Sequence, residues 1–193
     1  MTQAGRLIVA AVAVALLQIG FLSWMIAGRA AVLRDGREVL LKVEPVDPRE
    51  LLRGDYVRLG YDISRLPGSI FVPPPASTQS SYEERPVWVL LKPGEGGVYG
   101  AANAATERAA LPDPGADGVV LKGTIGSLPA LEAEGRATYG IERFYLPEGE
   151  GKPIERDMRE RPFFVVAAVT EDGTAQIKRF LDGDQVLYEE PYY

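Results

Sequence analysis

The sequence predicts a mostly β fold: a compact antiparallel sandwich or partly open barrel with a short helical corner, preceded by one N-terminal transmembrane helix. Three observations predict it. Residues 7–27 run from Leu7 to Ala27 without a charge. Beyond Arg37 the chain breaks into short segments with apolar residues at every second position, the strand period. Gly and Pro separate those segments, and no second long helical pattern occurs. The expected division is a tail and anchor over 1–35 and a single β-rich soluble domain over 36–193.

The apolar run holds 21 residues. At about 1.5 Å each they reach roughly 31 Å, the thickness of the hydrocarbon core. Trp24 stands near its end, where an indole prefers the headgroup zone. A cleaved signal has a shorter apolar stretch, about 7–15 residues, so an uncleaved anchor is expected, meeting the lipid bilayer through residues 7–27. The positive-inside rule, counted over Arg6 against Arg29, Arg34 and Arg37, puts the domain in the cytoplasm. The tail ahead of the helix is very short, however, and anchors of this kind commonly export the domain attached to them. An extracytoplasmic domain is therefore the expectation.

Composition excludes several chemistries. The chain has no Cys and no His. Disulfides, a thiol nucleophile, Cys/His zinc sites and a Ser-His-Asp triad are all ruled out. No cofactor or metal site is expected. The net charge is −6, and residues 1–37 carry +3, which leaves −9 on the rest. A nucleic acid would be repelled by that charge, and no Lys/Arg-rich run offsets it.

The strand segments can be assigned in order. Glu38–Glu44 places Val39, Leu41 and Val43 on one face, and Tyr56–Ile63 does the same with Val57, Leu59, Tyr61 and Ile63. Further strands are expected at Val87–Lys92, Val119–Ile125, Thr138–Leu146, Phe163–Thr170, Ala175–Phe180 and Gln185–Tyr188. Phe163–Val169 is apolar on both faces and reads as a central strand. Glu171-Asp172-Gly173 predicts a hairpin between it and the next. Residues 73–86, rich in Pro and Ser, are expected to stay out of a sheet. Residues 101–118 read as a loop whose Ala-rich first half forms one or two helical turns.

The most structured passage is Asp47–Tyr61. Asp47 can cap a helix, Pro48 suits its first position and Glu50 completes a capping box. Gly54 suits the left-handed residue that ends it. A helical corner of one or two turns at 48–53 should turn straight into a strand from Asp55. A structural corner accounts for these residues without any binding role.

Gly54-Asp55-Tyr56-Val57-Arg58-Leu59-Gly60-Tyr61 fits the pattern Gly-Asp-Tyr-x-x-Leu-x-Tyr without gaps. It resembles the bacterial membrane-anchored GDYXXLXY family that the pattern names. Residues 139–151 resemble that family's second recurring stretch. The resemblance spans about residues 30–190 and implies a membrane-protein partner but no reaction. Helix, Gly-Asp and strand are also similar to signal-peptidase-like serine proteases. Those carry a Ser nucleophile ahead of the Gly-Asp, and none stands in Val46–Arg53 here.

Two functions therefore compete. The leading one is a membrane-anchored, non-catalytic binding or assembly module. The alternative is a hydrolase using carboxylates or a Ser-Lys pair, distantly like signal peptidase. The candidate binding residues are Arg53, Asp55, Tyr56, Arg58 and Asp62 from the first passage, with Glu142, Arg143, Glu148 and Glu150 from the second. Surface ion pairs add only about 0–1 kcal/mol each, so charges gathered in these passages suit contact better than stability. The acids at 142–157 interleave with Arg143, Lys152, Arg156, Arg159 and Arg161, which also suits a solvated hairpin.

Overall fold

A computed structural model describes residues 3–45, 56–75, 77, 79–145, 154, 156–158 and 160–191, those at 45, 56 and 79–83 by their backbone alone. One helix, α1 (Gln3–Asp35), is long and apolar enough to cross a membrane. Its middle is exposed throughout, and Trp24 is 73% exposed. Its last turns do dock, with Leu33 buried to 2% exposure.

The remainder is mostly β, in two antiparallel sheets that curve around one core as a partly open barrel. The strands in chain order are β1 (Arg37–Pro45), β2 (Tyr56–Tyr61), β3 (Arg65–Pro67), β4 (Gln79–Pro93), β5 (Tyr99–Ala105), β6 (Val119–Leu128), β7 (Glu134–Thr138), β8 (Arg143–Tyr145), β9 (Phe163–Val169), β10 (Ala175–Asp182) and β11 (Gln185–Glu189). The six-stranded sheet has the order β11-β10-β9-β1-β2-β8, and the five-stranded one β3-β7-β6-β4-β5. The alternating residues set this packing. Val39, Leu41 and Val43 of β1 and Val57, Leu59 and Tyr61 of β2 all point inward and are at most 5% exposed. They meet Val87, Val89 and Leu91 of β4 and Leu121 and Ile125 of β6 in one continuous cluster. β9 is interior, as its two-sided apolarity requires. The β9–β10 hairpin closes at Gly173, whose φ of +83° is the left-handed value an Asp-Gly turn needs.

Three expectations are corrected. Residues 79–86 do pair, as the first half of β4 against β6. Pro86 is tolerated because β5 joins β4 only from Trp88 onward, so the strand has one neighbour where the N–H is missing. The Ala-rich stretch is β5 rather than helical turns: the ladder on β4 outweighs alanine's helix preference, and Ala104 and Ala105 fill the interior. The strand expected at 138–146 is divided, with Thr138 ending β7 and only Arg143–Tyr145 forming β8. A turn at Tyr139–Glu142 separates them. The predicted helical corner at 48–53, with its capping residues, lies outside the described residues.

The seam between the sheets

Two stretches of chain cross from one sheet to the other side by side. β2 leaves the six-stranded sheet, passes through a 3-10 turn at Asp62–Ser64 and enters the five-stranded sheet as β3. β7 leaves the five-stranded sheet and returns to the six-stranded one as β8. Since β2 pairs with β8 and β3 with β7, the crossings form one bent antiparallel ribbon. The two passages singled out in the sequence meet along it.

Two tyrosines lock the bend reciprocally. The Tyr61 hydroxyl donates to the Ile141 carbonyl at 2.6 Å, and the Tyr139 hydroxyl donates to the Ile63 carbonyl. Both rings are buried, at 1% and 6% exposure, so the bonds satisfy carbonyls that could not otherwise reach water. Burial, reinforced by the nearby Glu142 carboxylate, holds both phenols well above their ordinary pKa. Leu59 N–H adds a 2.9 Å bond to the Glu142 carbonyl. The Glu142 side chain turns back on its own loop. Its carboxylate accepts from the Tyr139 N–H and, at 2.9 Å, from the Gly140 N–H.

A cleft of about 770 Å³ opens along the ribbon. Arg58, Gly60, Tyr61 and Ser64 line one side, Arg136, Thr138, Glu142 and Arg143 the other, and Glu44 of β1 its edge. The strand register sets arginine against arginine twice. Arg58 is opposite Arg143 across β2–β8, and Arg65 is opposite Arg136 across β3–β7. Arg65 is engaged by Glu44. Burial, aided by a hydrogen bond with Asp62, raises the Glu44 carboxyl despite that arginine. No ion pair among the described residues engages Arg58 or Arg136.

Of the residues selected from sequence, Arg58, Glu142 and Arg143 thus line one cleft, Arg58 from one side and Glu142 and Arg143 from the other. Asp62 begins the turn beside them, with its side chain exposed. Tyr56 is placed by its backbone, opposite Tyr145. Arg53, Asp55, Glu148 and Glu150 lie outside the described residues. Sequence reasoning missed Glu44, Ser64, Arg136 and Thr138. The alternation in Glu134–Thr138 was the available signal, but its inward residues are only Gly135 and Ala137, too small to mark a strand by hydropathy. No group of three or more acidic side chains suited to a metal occurs among the described residues.

Comparison with known proteins gives one match. The family described as GDYXXLXY protein matches residues 18–180. No curated protein and no solved structure matches the chain.

Proposed function

The chain belongs to the GDYXXLXY family, and from that premise we infer that it is a membrane-anchored, non-catalytic binding or assembly module. In this reading α1 is an uncleaved, single-pass anchor, the β domain lies outside the cytoplasm, and the seam holds a partner protein of the same membrane. The observation that carries it is the use of the seam's polar groups. Glu142, the acid a hydrolase of the 142–157 cluster would need free, is committed to two backbone N–H groups. Tyr61 and Tyr139 are committed to backbone carbonyls. Groups so occupied fix the shape of a surface and are not free to exchange a proton with a substrate. The arginines and the exposed Tyr145 ring beside them suit contact instead, since arginine and tyrosine are enriched where proteins bind.

The hydrolase reading keeps one support, the Glu44–Asp62 carboxyl pair beside Arg65. A pair of carboxyls in contact favours one protonated and one ionised group.

The test is crosslinking of the full-length protein in its native membrane, followed by recovery and mass spectrometry. A membrane protein should be recovered with the wild type and lost with Asp62→Ala/Tyr145→Ala at an unchanged melting temperature. Recovery indifferent to these substitutions would remove the seam from the interface. Hydrolysis of a peptide or ester panel, abolished by Glu44→Gln, would replace the module with the enzyme.

A further inference from the structure

We propose that the seam cleft is an oxyanion site that takes a phosphate group. The proposal rests on the reading of the seam as the functional face and names the chemistry of what it holds. The protein as a whole is acidic, at −6. Yet the ribbon gathers Arg58, Arg65, Arg136 and Arg143 within a few residues of one bend. Like charges directly opposite on neighbouring strands are destabilising. The register sets this up twice, once on each side of the tyrosine lock.

The carboxylates that line the cleft do not pair with Arg58 or Arg136. Glu142 is turned into its own loop, and Glu44 is shared between Arg65 and Asp62. Arg58 and Arg136 are left without an anionic partner among the described residues. They project from separate strands into one cleft of about 770 Å³, a volume suited to a small ligand. Ser64 and Thr138 line the same walls; Ser64 is buried to 7% exposure, while the Thr138 hydroxyl donates to Thr124, whose own proton goes to Glu84. A guanidinium fork matches a phosphate through two parallel N–H···O bonds. A carboxylate is satisfied by one such fork. Guanidiniums arriving from both sides of a cleft suit the larger charge and three acceptor oxygens of a phosphate monoester.

The experiment is a titration of the purified full-length protein in nanodiscs of zwitterionic phosphatidylcholine with inorganic phosphate at constant ionic strength, followed by calorimetry. Saturable binding is expected. Arg58→Gln and Arg136→Gln should each weaken it by about tenfold, and the double variant should abolish it, as loss of a charge-assisted pair implies. Arg108→Gln, whose guanidinium lies over Trp88 away from the cleft, should leave binding unchanged. Phosphate should also protect Arg58 and Arg136 of the unsubstituted protein from phenylglyoxal, a measurement that needs no variant to fold. Repeating the titration in nanodiscs containing phosphatidylglycerol separates the sources. A weakened response there identifies a lipid headgroup as the natural phosphate, and an unchanged one identifies a free solute. Absence of saturation, or binding and protection indifferent to both arginines, overturns the site. Partner recovery is measured separately, so phosphate binding without a partner, or a partner without phosphate binding, tells which of the two readings has failed.

Discussion

Tyr61 and Tyr139 each combine a ring in the core with a hydroxyl on a carbonyl some eighty positions away, and this makes their protonation part of the fold. Each phenol's pKa is raised in the folded chain, by burial first and by Glu142 second. In the unfolded chain it returns to about 10. Below that pH both states keep the proton, and the contribution is complete and constant. Above it the unfolded chain releases protons that the folded chain retains, so stability falls as pH rises, by up to about 1.4 kcal/mol per pH unit for each tyrosine. Tyr61→Phe/Tyr139→Phe should cost about 1–3 kcal/mol per lost hydrogen bond near neutrality. The double variant should then lose less than the wild type between about pH 10 and 11. Urea midpoints at three pH values would show this, and parallel slopes would mean that the two phenols titrate freely. Neither bond was legible in the sequence. Tyr61 could be assigned to the core from its alternation with Val57 and Leu59, but a hydroxyl's partner eighty residues away is set only by the sheet crossing. Glu142 stands out in the sequence as a binding residue because a charge in a recurring passage draws notice. Its bonds to Tyr139 and Gly140 depend on a turn whose geometry the sequence does not mark.

Among the elements, those whose side chains carry the information were legible. β1, β2, β9 and β10 alternate or run apolar with large residues, and each occupies the place that pattern requires. β5, β7 and the first half of β4 were not, for a shared reason. Their inward residues are Ala, Gly or interrupted by Pro, so the sheet neighbour decides their conformation, and a neighbour is not encoded locally. β2 is the element on which core and seam both depend. Its inward side chains hold the ribbon against β1 while Arg58 points into the cleft. Leu59→Ala, at a position 1% exposed, should therefore cost about 2–5 kcal/mol in denaturant unfolding. A loss under about 0.5 kcal/mol would contradict the burial. Arg58→Ala, on the opposite face of the same strand, should lie within about 0.5 kcal/mol of wild type. The contrast between adjacent positions tests the register itself, because a slip of one residue would exchange the two results.

At the scale of the whole molecule, the question is whether α1 merely tethers the β domain or also forms part of it. The helix is continuous from Gln3 to Asp35, about 50 Å, while the uncharged run from Leu7 to Ala27 accounts for only about 31 Å. The eight residues from Gly28 to Asp35 extend roughly 12 Å further, and they do not stand free. Leu33 is 2% exposed, and Arg29 lies 3.9 Å from Glu190. The Gly36 N–H bonds to the Val32 carbonyl at 3.0 Å, so helix and β1 join without a slack linker. Gly36 permits that junction because a Cβ there would lie 2.5 Å from the same carbonyl. In a fragment that begins at Gly28 the eight-residue helix is unstable in water by itself, so its order there must come from the packing of Leu33 on the domain. A soluble fragment beginning at Gly28 should then be more stable than one beginning at Gly36 by about 2–5 kcal/mol, the cost of removing a buried leucine. Leu33→Ala in the longer fragment should reproduce most of that loss, and Arg29→Ala little of it, since an exposed ion pair contributes about 0–1 kcal/mol. Equal urea midpoints for the two fragments would make the helix end a passive tether, leaving the domain free to tilt relative to the helix. The expected difference would instead fix the domain to the helix, because a rotation about Gly36 would have to expose Leu33.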